Sequence, residues 1–161
     1  MKTIGMIAQK GGTGKTTLSI HLAVQASLSG RKVLLVDMDP QSSAGAWWRR
    51  RDSESPALIQ TRGDKLREVL DGAVARGYDL AVVDTAPHAS DDARTCAGLA
   101  DLVCIPTRPA ILDLDAIRPT TDLVSETGVP AVIVLNACPP PTAYGEPHIV
   151  SEAREALDVY R

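Results

Sequence analysis

The sequence predicts an α/β protein with a doubly wound, mainly parallel sheet and helices flanking it. Short, continuous apolar runs, typical of strands buried on both faces, recur along the chain. Stretches of ten or more residues with helical periodicity separate these runs. The runs occupy residues 4–8, 33–36, 80–83, 102–106 and 131–135. A length of 161 residues suits a single domain over 1–161, and no linker or internal repeat divides it.

Composition and charge narrow the classes of function. Hydrophobic residues make up 44% of the chain and charged residues 23%, proportions that are ordinary for a soluble globular protein. No apolar run approaches membrane-spanning length, so we expect no contact with a membrane. The net charge of −3 gives no overall signal for nucleic-acid binding, so any such surface would have to be a local basic patch.

Cysteine usage points to a reducing compartment. Cys96, Cys104 and Cys138 are odd in number and lack C-x-x-C spacing, which argues against a disulfide framework or a zinc site. We therefore predict buried, reduced thiols in a cytoplasmic protein.

A glycine-rich loop at 9–17 joins the first apolar run to the first helical pattern. A strand, a glycine-rich turn and a helix in this order predict a phosphate cradle, because the backbone N–H groups and the helix N-terminus can face one anion. Lys15 would reach the β- and γ-phosphates, and the Thr16 hydroxyl is placed to hold Mg²⁺. The alternative is a turn that only joins strand and helix. The candidate nucleotide-binding residues here are Gly11, Gly12, Thr13, Gly14, Lys15, Thr16 and Thr17.

Two carboxylates, Asp37 and Asp39, follow the second apolar run. Carboxylates at the carboxyl end of a central strand are costly unless they meet a cation or hydrogen-bond donors. In open α/β sheets this edge is where ligands bind. The alternative, for one of the two, is an aspartate that caps the next helix.

That next helix is predicted over 42–55 and carries Trp47, Trp48 and three arginines, Arg49, Arg50 and Arg51. The cluster could contact nucleic acid or a partner protein. We favour the simpler interpretation, in which one tryptophan packs under the sheet edge and the arginines are solvated. Residues 56–60 then predict a short edge strand. A further helix is predicted over 64–76, with one apolar face formed by Leu66, Val69, Leu70, Ala73 and Val74.

Asp84 closes the apolar run 80–83. Four apolar residues ending in an aspartate form the Walker B arrangement, in which the carboxylate holds Mg²⁺ or its water. The pattern is weak alone and becomes strong beside the loop at 9–17. We therefore expect Asp84 to be a metal residue.

The last third of the chain continues the alternation of helices and strands. Helices are predicted over 91–100, over 112–127 with an interruption near Pro119, and from 151 to 160. The run 131–135 predicts another buried strand. Asn136 follows it and could pair with an adenine edge, because an amide both donates and accepts hydrogen bonds. A turn-forming asparagine is nearly as good an interpretation.

The loop departs from the ordinary Walker A motif, because Gln9 stands where that motif has glycine and Lys10 adds a second lysine. With this variant loop, the chain resembles the ParA/MinD family of deviant-Walker ATPases, and within it the small ParA-type partition ATPases. The segments that carry the resemblance are KGGTGKTT at 10–17, DMDPQ at 37–41, DTAP at 84–87 and IPTRP at 105–109, together with Asp113 and Asn136.

The resemblance implies a P-loop fold and a switch that binds and hydrolyses ATP with Mg²⁺, used in plasmid or chromosome partition or in cargo positioning. In such proteins ATP joins two protomers in a sandwich dimer, and a ParB-like protein or cargo adaptor stimulates slow hydrolysis. By this resemblance Asp39 would orient the attacking water and Asp37 would help arrange the magnesium shell. Lys10 would cross to the phosphates of the other subunit. An unpaired Lys10 beside Lys15 would be repelled, which also favours an outward-pointing Lys10. The alternative is a solvated Lys10 that only raises the local positive potential.

Members of this family commonly continue through another strand and one or two helices, which carry adenine contacts and a DNA-binding surface. The sequence ends at Arg161 and is expected to lack these elements. Nonspecific DNA binding, and with it nucleoid association, is therefore expected to be weak or absent. The alternative function is a shortened nucleotide-binding interaction module without useful turnover. The joint presence of Lys10, Asp39 and Asp84 favours the ATPase switch.

Overall fold

The computed structural model describes residues 1–88, 90–143 and 145–160. Its strands are β1 (Lys2–Met6), β2 (Val33–Asp37), β3 (Ala57–Gln60), β4 (Leu80–Asp84), β5 (Leu102–Thr107) and β6 (Ala131–Leu135). Its α-helices are α1 (Lys15–Leu28), α2 (Ser43–Trp48), α3 (Leu66–Ala75), α4 (Ser90–Leu99), α5 (Ile111–Leu114), α6 (Arg118–Ser125) and α7 (His148–Leu157). Short 3₁₀ turns at Gly63–Lys65 and Asp158–Tyr160 precede α3 and follow α7.

The strands form one parallel sheet in the order β3-β2-β4-β1-β5-β6, which confirms the predicted fold class. After β1 the chain forms β2, β3 and β4, which all lie on one side of β1 in the sheet. It then crosses to the other side for β5 and β6. The strand order therefore reverses at β1. In open α/β sheets the ligand crevice lies at the carboxyl edge of this switch point, where the loop after β1 begins.

Helices cover both faces of the sheet because successive residues of a strand point to opposite sides. Leu34 and Val36 of β2 pack in one core cluster with residues of α3, α4 and α6. Val33 and Leu35 pack in a second cluster with α1 and α2. The strand is thus buried on both sides, as its continuous apolar run predicts.

Two predicted helix boundaries are wrong and one predicted interruption is confirmed. The helix predicted over 42–55 ends at Trp48. Turn-forming residues follow it up to Pro56, and a proline disfavours helical backbone at the residue before it. The interruption predicted near Pro119 is confirmed, because α5 ends at Leu114 and α6 begins at Arg118. Pro119 lies in the first turn of α6, where a missing N–H costs nothing. The last helix begins at His148, ahead of the predicted 151.

Burial differs from prediction at two apolar positions. Val74, predicted on the packed face of α3, is 56% exposed, because Leu66, Leu70 and Ala73 fill the contact with the sheet. The strand predicted to be buried at 131–135 is the edge strand β6, and Val132 in it is 44% exposed.

The cysteines divide between core and surface. Cys96 and Cys104 are buried, as predicted, and Cys138 is exposed, which makes the prediction of three buried thiols wrong at that position. Cys138 lies in the irregular segment after β6, where its side chain is exposed. Within the described part of the chain, no helix is long and apolar enough to cross a membrane.

Candidate functional site

The candidate residues meet at the carboxyl edge of three neighbouring strands. Asp84 at the end of β4 is in register with Met6 on one side and with Asp37 on the other. The glycine-rich loop begins at Gln9, three residues after Met6. The structure thus brings the loop and two of the predicted metal residues together through the strand order alone.

Two glycines give the loop its shape. Gly12 and Gly14 have φ angles of 77° and 99°, in the left-handed region that glycine adopts without strain. Gly14 directly precedes Lys15, the first residue of α1, so the free N–H groups of the first helical turn lie against the loop. A Cβ at Gly14 would meet the side-chain amide of Asn136. The backbone of the loop therefore has the form that a phosphate cradle needs.

Gln9, the departure from the ordinary motif, anchors the head of the loop. Its backbone N–H donates to the Thr120 hydroxyl at 3.2 Å, and its side-chain amide donates to the Pro119 carbonyl at 3.5 Å. Its carbonyl accepts a hydrogen bond from the backbone of His88. Sequence reasoning missed Thr120, since it lies 111 residues from Gln9 and no local pattern marks it.

Lys15 is a buried cation inside the loop. The residue is 6% exposed, and its ammonium donates to the Lys10 carbonyl at 3.3 Å. Burial lowers the pKa of Lys15, and the charges of Asp84 and Asp39 oppose this shift without cancelling it. A bound anion would stabilise the charged form of this buried ammonium. The cradle around Lys15 has the form to bind such an anion.

Asp84 is fully buried, and only one of its two carboxylate oxygens has a hydrogen-bond partner among the described residues. Its Oδ1 accepts a hydrogen bond from the Ser19 hydroxyl at 3.3 Å, while Oδ2 has no hydrogen-bond partner among the described residues. Burial raises the pKa of Asp84 to about 6, against the lowering effects of Thr16, Ser19 and Lys15. Sequence reasoning missed Ser19, although it lies three residues after Thr16 and so on the same face of α1.

The donor set fits Mg²⁺ bound together with a nucleotide. Magnesium prefers oxygen ligands, keeps several waters, and is commonly held through one or two carboxylates plus substrate phosphates. Asp84 Oδ2 and the Thr16 hydroxyl are such donors, and a buried carboxylate oxygen without a partner calls for an ion or an ordered water. No cluster of three or more His, Cys, Asp or Glu that could hold a metal by itself is present among the described residues.

Asp37 has the contacts of a capping residue. It is 2% exposed; Oδ1 accepts from the Asp39 backbone at 3.1 Å and Oδ2 from the Gly45 backbone at 2.9 Å. Since Gly45 lies in the first turn of α2, the alternative of a helix-capping aspartate applies to Asp37. Asp39 is half-buried, and its Oδ1 accepts from the Gln41 backbone at 2.9 Å. Asp37 thus fixes the backbone from which Asp39 projects.

Lys10 is paired within its own chain. Its ammonium lies 3.0 Å from Asp113 Oδ1 and donates to the Leu112 carbonyl at 2.9 Å. The premise that Lys10 is unpaired beside Lys15 is therefore wrong, because Asp113 compensates its charge. Asp113 is 3% exposed and also binds Arg108, with 3.0 Å between Nε and Oδ2.

Asn136 contacts the loop itself. Its side-chain amide donates to the Thr13 carbonyl at 2.9 Å, and its backbone N–H donates to the Thr107 carbonyl at 2.7 Å. The structure therefore brings the ends of β5 and β6 to the glycine-rich loop. The contact with an adenine edge stays a prediction.

The comparison with known families agrees with this site. The profile of the family described as "CobQ/CobB/MinD/ParA nucleotide binding domain" matches residues 4–115. The chain belongs to this family. The matched range includes the loop, Asp37, Asp39, Asp84 and Asp113, so the predicted resemblance to the ParA/MinD family is confirmed.

Two relatives of this ParA/MinD-family chain carry the name maintenance of carboxysome distribution protein A. The protein from Gloeobacter kilaueensis is 42% identical over 117 residues, which is 70% of this chain and 52% of that protein. The protein from Halothiobacillus neapolitanus is 32% identical over 152 residues, which is 88% of this chain and 68% of that protein. The chain thus spans about half of the first relative and about two thirds of the second.

Solved structures show the same fold. The apo structure of McdA from Cyanothece superposes with a TM-score of 0.78 over 99% of this chain and 81% of that one. The two sequences are 16% identical, so this likeness concerns the fold.

The tryptophan and arginine cluster of this ParA/MinD-family chain is mainly a packing feature. Trp47 packs partly buried against the second core cluster, as the simpler interpretation predicts. Arg51 departs from it, because its guanidinium lies 4.5 Å from the centre of the Trp47 ring and donates to the Ser55 carbonyl. Arg49 and Arg50 remain exposed. Only these two arginines of the cluster are free to form a basic surface.

Proposed function

We propose that this ParA/MinD-family chain is a Mg²⁺-dependent ATPase switch that positions a large cargo. The observation that carries the proposal is the meeting of three groups beside the glycine-rich loop: buried Lys15, the Thr16 hydroxyl and Asp84 Oδ2, which has no hydrogen-bond partner among the described residues. A cation, a neutral oxygen and a carboxylate oxygen beside a glycine-rich loop suit a triphosphate with its magnesium ion.

The loop binds the phosphates of ATP or ADP. Backbone N–H groups of 11–16 and the N-terminus of α1 face the phosphate oxygens, and Lys15 neutralises their charge. Thr16 and Asp84 would hold Mg²⁺, and Asp37, which is in register with Asp84, would help arrange the surroundings of the ion. When bound, the ion neutralises charge that develops on the phosphate oxygens. Asn136 closes the nucleotide side of the loop and contributes to the base pocket.

Asp39 orients the attacking water. Its carboxylate is half-buried at the mouth of the site and close enough to Lys15 to influence its pKa. Its backbone is fixed because the Asp39 N–H donates to Asp37 Oδ1. A positioned carboxylate on a braced turn can hold one water in line with the γ-phosphate, which acts mainly in the transition state.

The switch works through a dimer. ATP joins two protomers face to face, Lys10 of each reaches the phosphates of the other, and hydrolysis releases them. A cation supplied in trans to the γ-phosphate is a known way to accelerate phosphoryl transfer. An adaptor on the cargo, or a ParB-like protein, stimulates the slow basal hydrolysis.

The class of cargo follows from the relatives. The Gloeobacter and Halothiobacillus proteins are named for maintaining carboxysome distribution. Positioning of a protein assembly is therefore the first assignment for this chain, and partition of a plasmid or chromosome is the second. Nonspecific DNA binding through Arg49 and Arg50 is expected to be weak at physiological salt, since two exposed arginines neutralise few phosphates.

Calorimetry with ATP, with and without Mg²⁺, tests the assignment. Lys15→Ala should weaken ATP binding about tenfold or more, because it removes charge-assisted hydrogen bonds to the phosphates. Lys65→Ala removes an equal charge at an exposed position and should bind as wild type does. Equal affinity for wild type and Lys15→Ala would contradict the nucleotide site. Tight Mg-ATP binding without phosphate release, with or without an adaptor, would favour the interaction module instead.

A further inference from the structure

A buried carboxylate with two cations lies beside the mouth of the loop. Asp113, in the first turn of α5, has only 2% of its side chain exposed. The Lys10 ammonium is 3.0 Å from its Oδ1 and the Arg108 Nε is 3.0 Å from its Oδ2. Lys10 and Arg108 have 32% and 42% of their side chains exposed, so both cations border solvent while the carboxylate does not.

The two cations are not equivalent partners of Asp113. Arg108 donates to both carboxylate oxygens, through Nε to Oδ2 and through Nη2 to Oδ1 at 3.4 Å. The contact of Lys10 is with Oδ1, at 3.0 Å. Removing one partner of a buried ion pair is costly when it leaves an uncompensated charge. If Lys10 leaves Asp113, Arg108 still covers both oxygens, so this cost does not arise.

The second contact of Lys10 is also easily replaced. Its ammonium donates to the Leu112 carbonyl, and Leu112 is 70% exposed on α5. Water can therefore take the place of Lys10 at this carbonyl. The backbone of Lys10 is held separately, because its carbonyl accepts from the Lys15 ammonium. The side chain of Lys10 can thus move while the loop keeps its form.

We propose that Asp113 is a positioning residue that holds the Lys10 ammonium on α5 in the single protomer, and that Arg108 permits its release toward the phosphates of a second protomer. This inference rests on the proposed ATP dimer. It assigns to Asp113 and Arg108 opposite effects on dimer formation. Asp113→Asn removes the charge that holds Lys10. Arg108→Gln removes the other cation, so Lys10 has to remain at Asp113 to compensate its charge.

The first measurement is dimer fraction by light scattering against the concentration of a non-hydrolysable ATP analogue with Mg²⁺. Because the Lys10 side chain borders solvent, we expect its contact with Asp113 to change the midpoint by about two- to fivefold. The midpoint is the analogue concentration at which half of the protein is dimeric. Asp113→Asn should lower the midpoint and Arg108→Gln should raise it. Arg108→Lys keeps a cation and should restore most of the wild-type behaviour.

Two matched control variants make the same charge changes at residues close to Asp113 in the sequence. Asp115→Asn removes an exposed carboxylate just after α5, and Arg118→Gln removes an arginine whose side chain is 78% exposed. Both should leave the midpoint near that of wild type. If Asp113→Asn and Arg108→Gln shift the midpoint in the same direction, the pair is only a structural ion pair and the positioning role is overturned.

The second measurement needs neither nucleotide nor dimer. Acetylation of Lys10 by an N-hydroxysuccinimide ester is followed by mass spectrometry, with the exposed Lys65 as internal reference. Asp113→Asn should speed acetylation of Lys10 and Arg108→Gln should slow it. Equal rates in all three proteins would overturn the proposal. If Asp113→Asn does not fold, Arg108→Gln carries both tests, since Arg108 lies at the surface.

The two measurements separate this inference from the proposed function. Opposite changes in acetylation with no dimer in wild type would contradict the proposed dimer and support the hold of Asp113 on Lys10. A wild-type dimer with unchanged acetylation would support the dimer and contradict the hold.

Discussion

The side-chain amide of Asn136 donates a hydrogen bond to the carbonyl of Thr13, and this 2.9 Å contact joins the end of β6 to the glycine-rich loop. The next loop residue, Gly14, has no side chain, which lets the amide approach closely. The form of the loop and the end of β6 therefore depend on each other. A change at Gly14 affects both.

Gly14→Ala should lower the free energy of unfolding by about 1–2 kcal/mol and weaken ATP binding. The φ angle of 99° is in the left-handed region, and an added Cβ would also meet the Asn136 amide. Urea unfolding and an ATP titration measure the two effects. A variant as stable as wild type would contradict the strained backbone.

Gly98→Ala is the matched control. Gly98 lies in α4, and a Cβ there would have open space around it, so alanine should stabilise the protein by about 0.5–1 kcal/mol. Adding Asn136→Ala to Gly14→Ala removes the contact and keeps the left-handed backbone. The double variant should recover only part of the stability that Gly14→Ala loses. Full recovery would show that the whole loss comes from the contact with Asn136.

Local sequence patterns predict the sheet well because each strand is a short apolar run that must be buried. They predict helix ends less well. The periodicity from 42 onward does not reveal that the helix ends at Trp48, which depends on the turn residues before Pro56. Edge position is also invisible locally. The residues of β6 are as apolar as those of a central strand, yet Val132 is 44% exposed because its strand is last in the sheet.

At the site, the motifs predict which residues meet, while their partners come from the packing of distant elements. Lys10 finds Asp113 through the position of α5, and Asp84 finds Ser19 across 65 residues. The premise that Lys10 is unpaired beside Lys15 failed for this reason, since nothing near Lys10 in sequence shows an acid within reach. Ser19 is different, because its spacing from Thr16 on α1 is a signal that local reasoning could have used.

The pKa of Asp84 predicts a pH-dependent stability in the nucleotide-free protein. The folded value of about 6 lies above the ordinary value of 3.8, so the folded state binds this proton more tightly than the unfolded state. Ionised Asp84 therefore costs stability as the pH rises from about 4 to 6, and the full cost applies above about 6. Between pH 4 and 7.5 wild type should lose about 2 kcal/mol relative to Asp84→Asn.

Urea unfolding of both proteins across this range measures the difference. Asp64→Asn serves as a control for loss of one carboxylate, since 69% of the Asp64 side chain is exposed. A difference between wild type and Asp84→Asn that does not change with pH would show that Asp84 ionises without cost.

Replacement of Asp39 should separate binding from turnover. Asp39→Ala should bind ATP as wild type does and lose hydrolysis by at least about tenfold, because water positioning acts mainly in the transition state. Calorimetry and phosphate release measure the two quantities. Retained hydrolysis would move the role to another group.

Asp39→Asn distinguishes chemistry from local structure. Its amide oxygen can still accept from the Gln41 backbone, the contact that Asp39 Oδ1 makes at 2.9 Å, but the charge is lost. If the carboxylate holds the water, the asparagine variant should be as slow as the alanine variant. If the asparagine variant keeps its rate, Asp39 serves the turn and not the water.

The role of Lys10 in the dimer predicts a variant that binds ATP and stays monomeric. Lys10 already has partners in its own chain, so it gains from leaving them only when a second set of phosphates is within reach. Wild type with a non-hydrolysable ATP analogue and Mg²⁺ should shift toward the dimer mass in light scattering, and Lys10→Ala should not. Lys2→Ala is the control, because it removes the same charge at the opposite end of β1.

Equal dimer fractions for wild type and Lys10→Ala would remove Lys10 from the mechanism. A wild type that stays monomeric at saturating analogue would contradict the dimer itself, because Lys10 would then have no phosphates to reach.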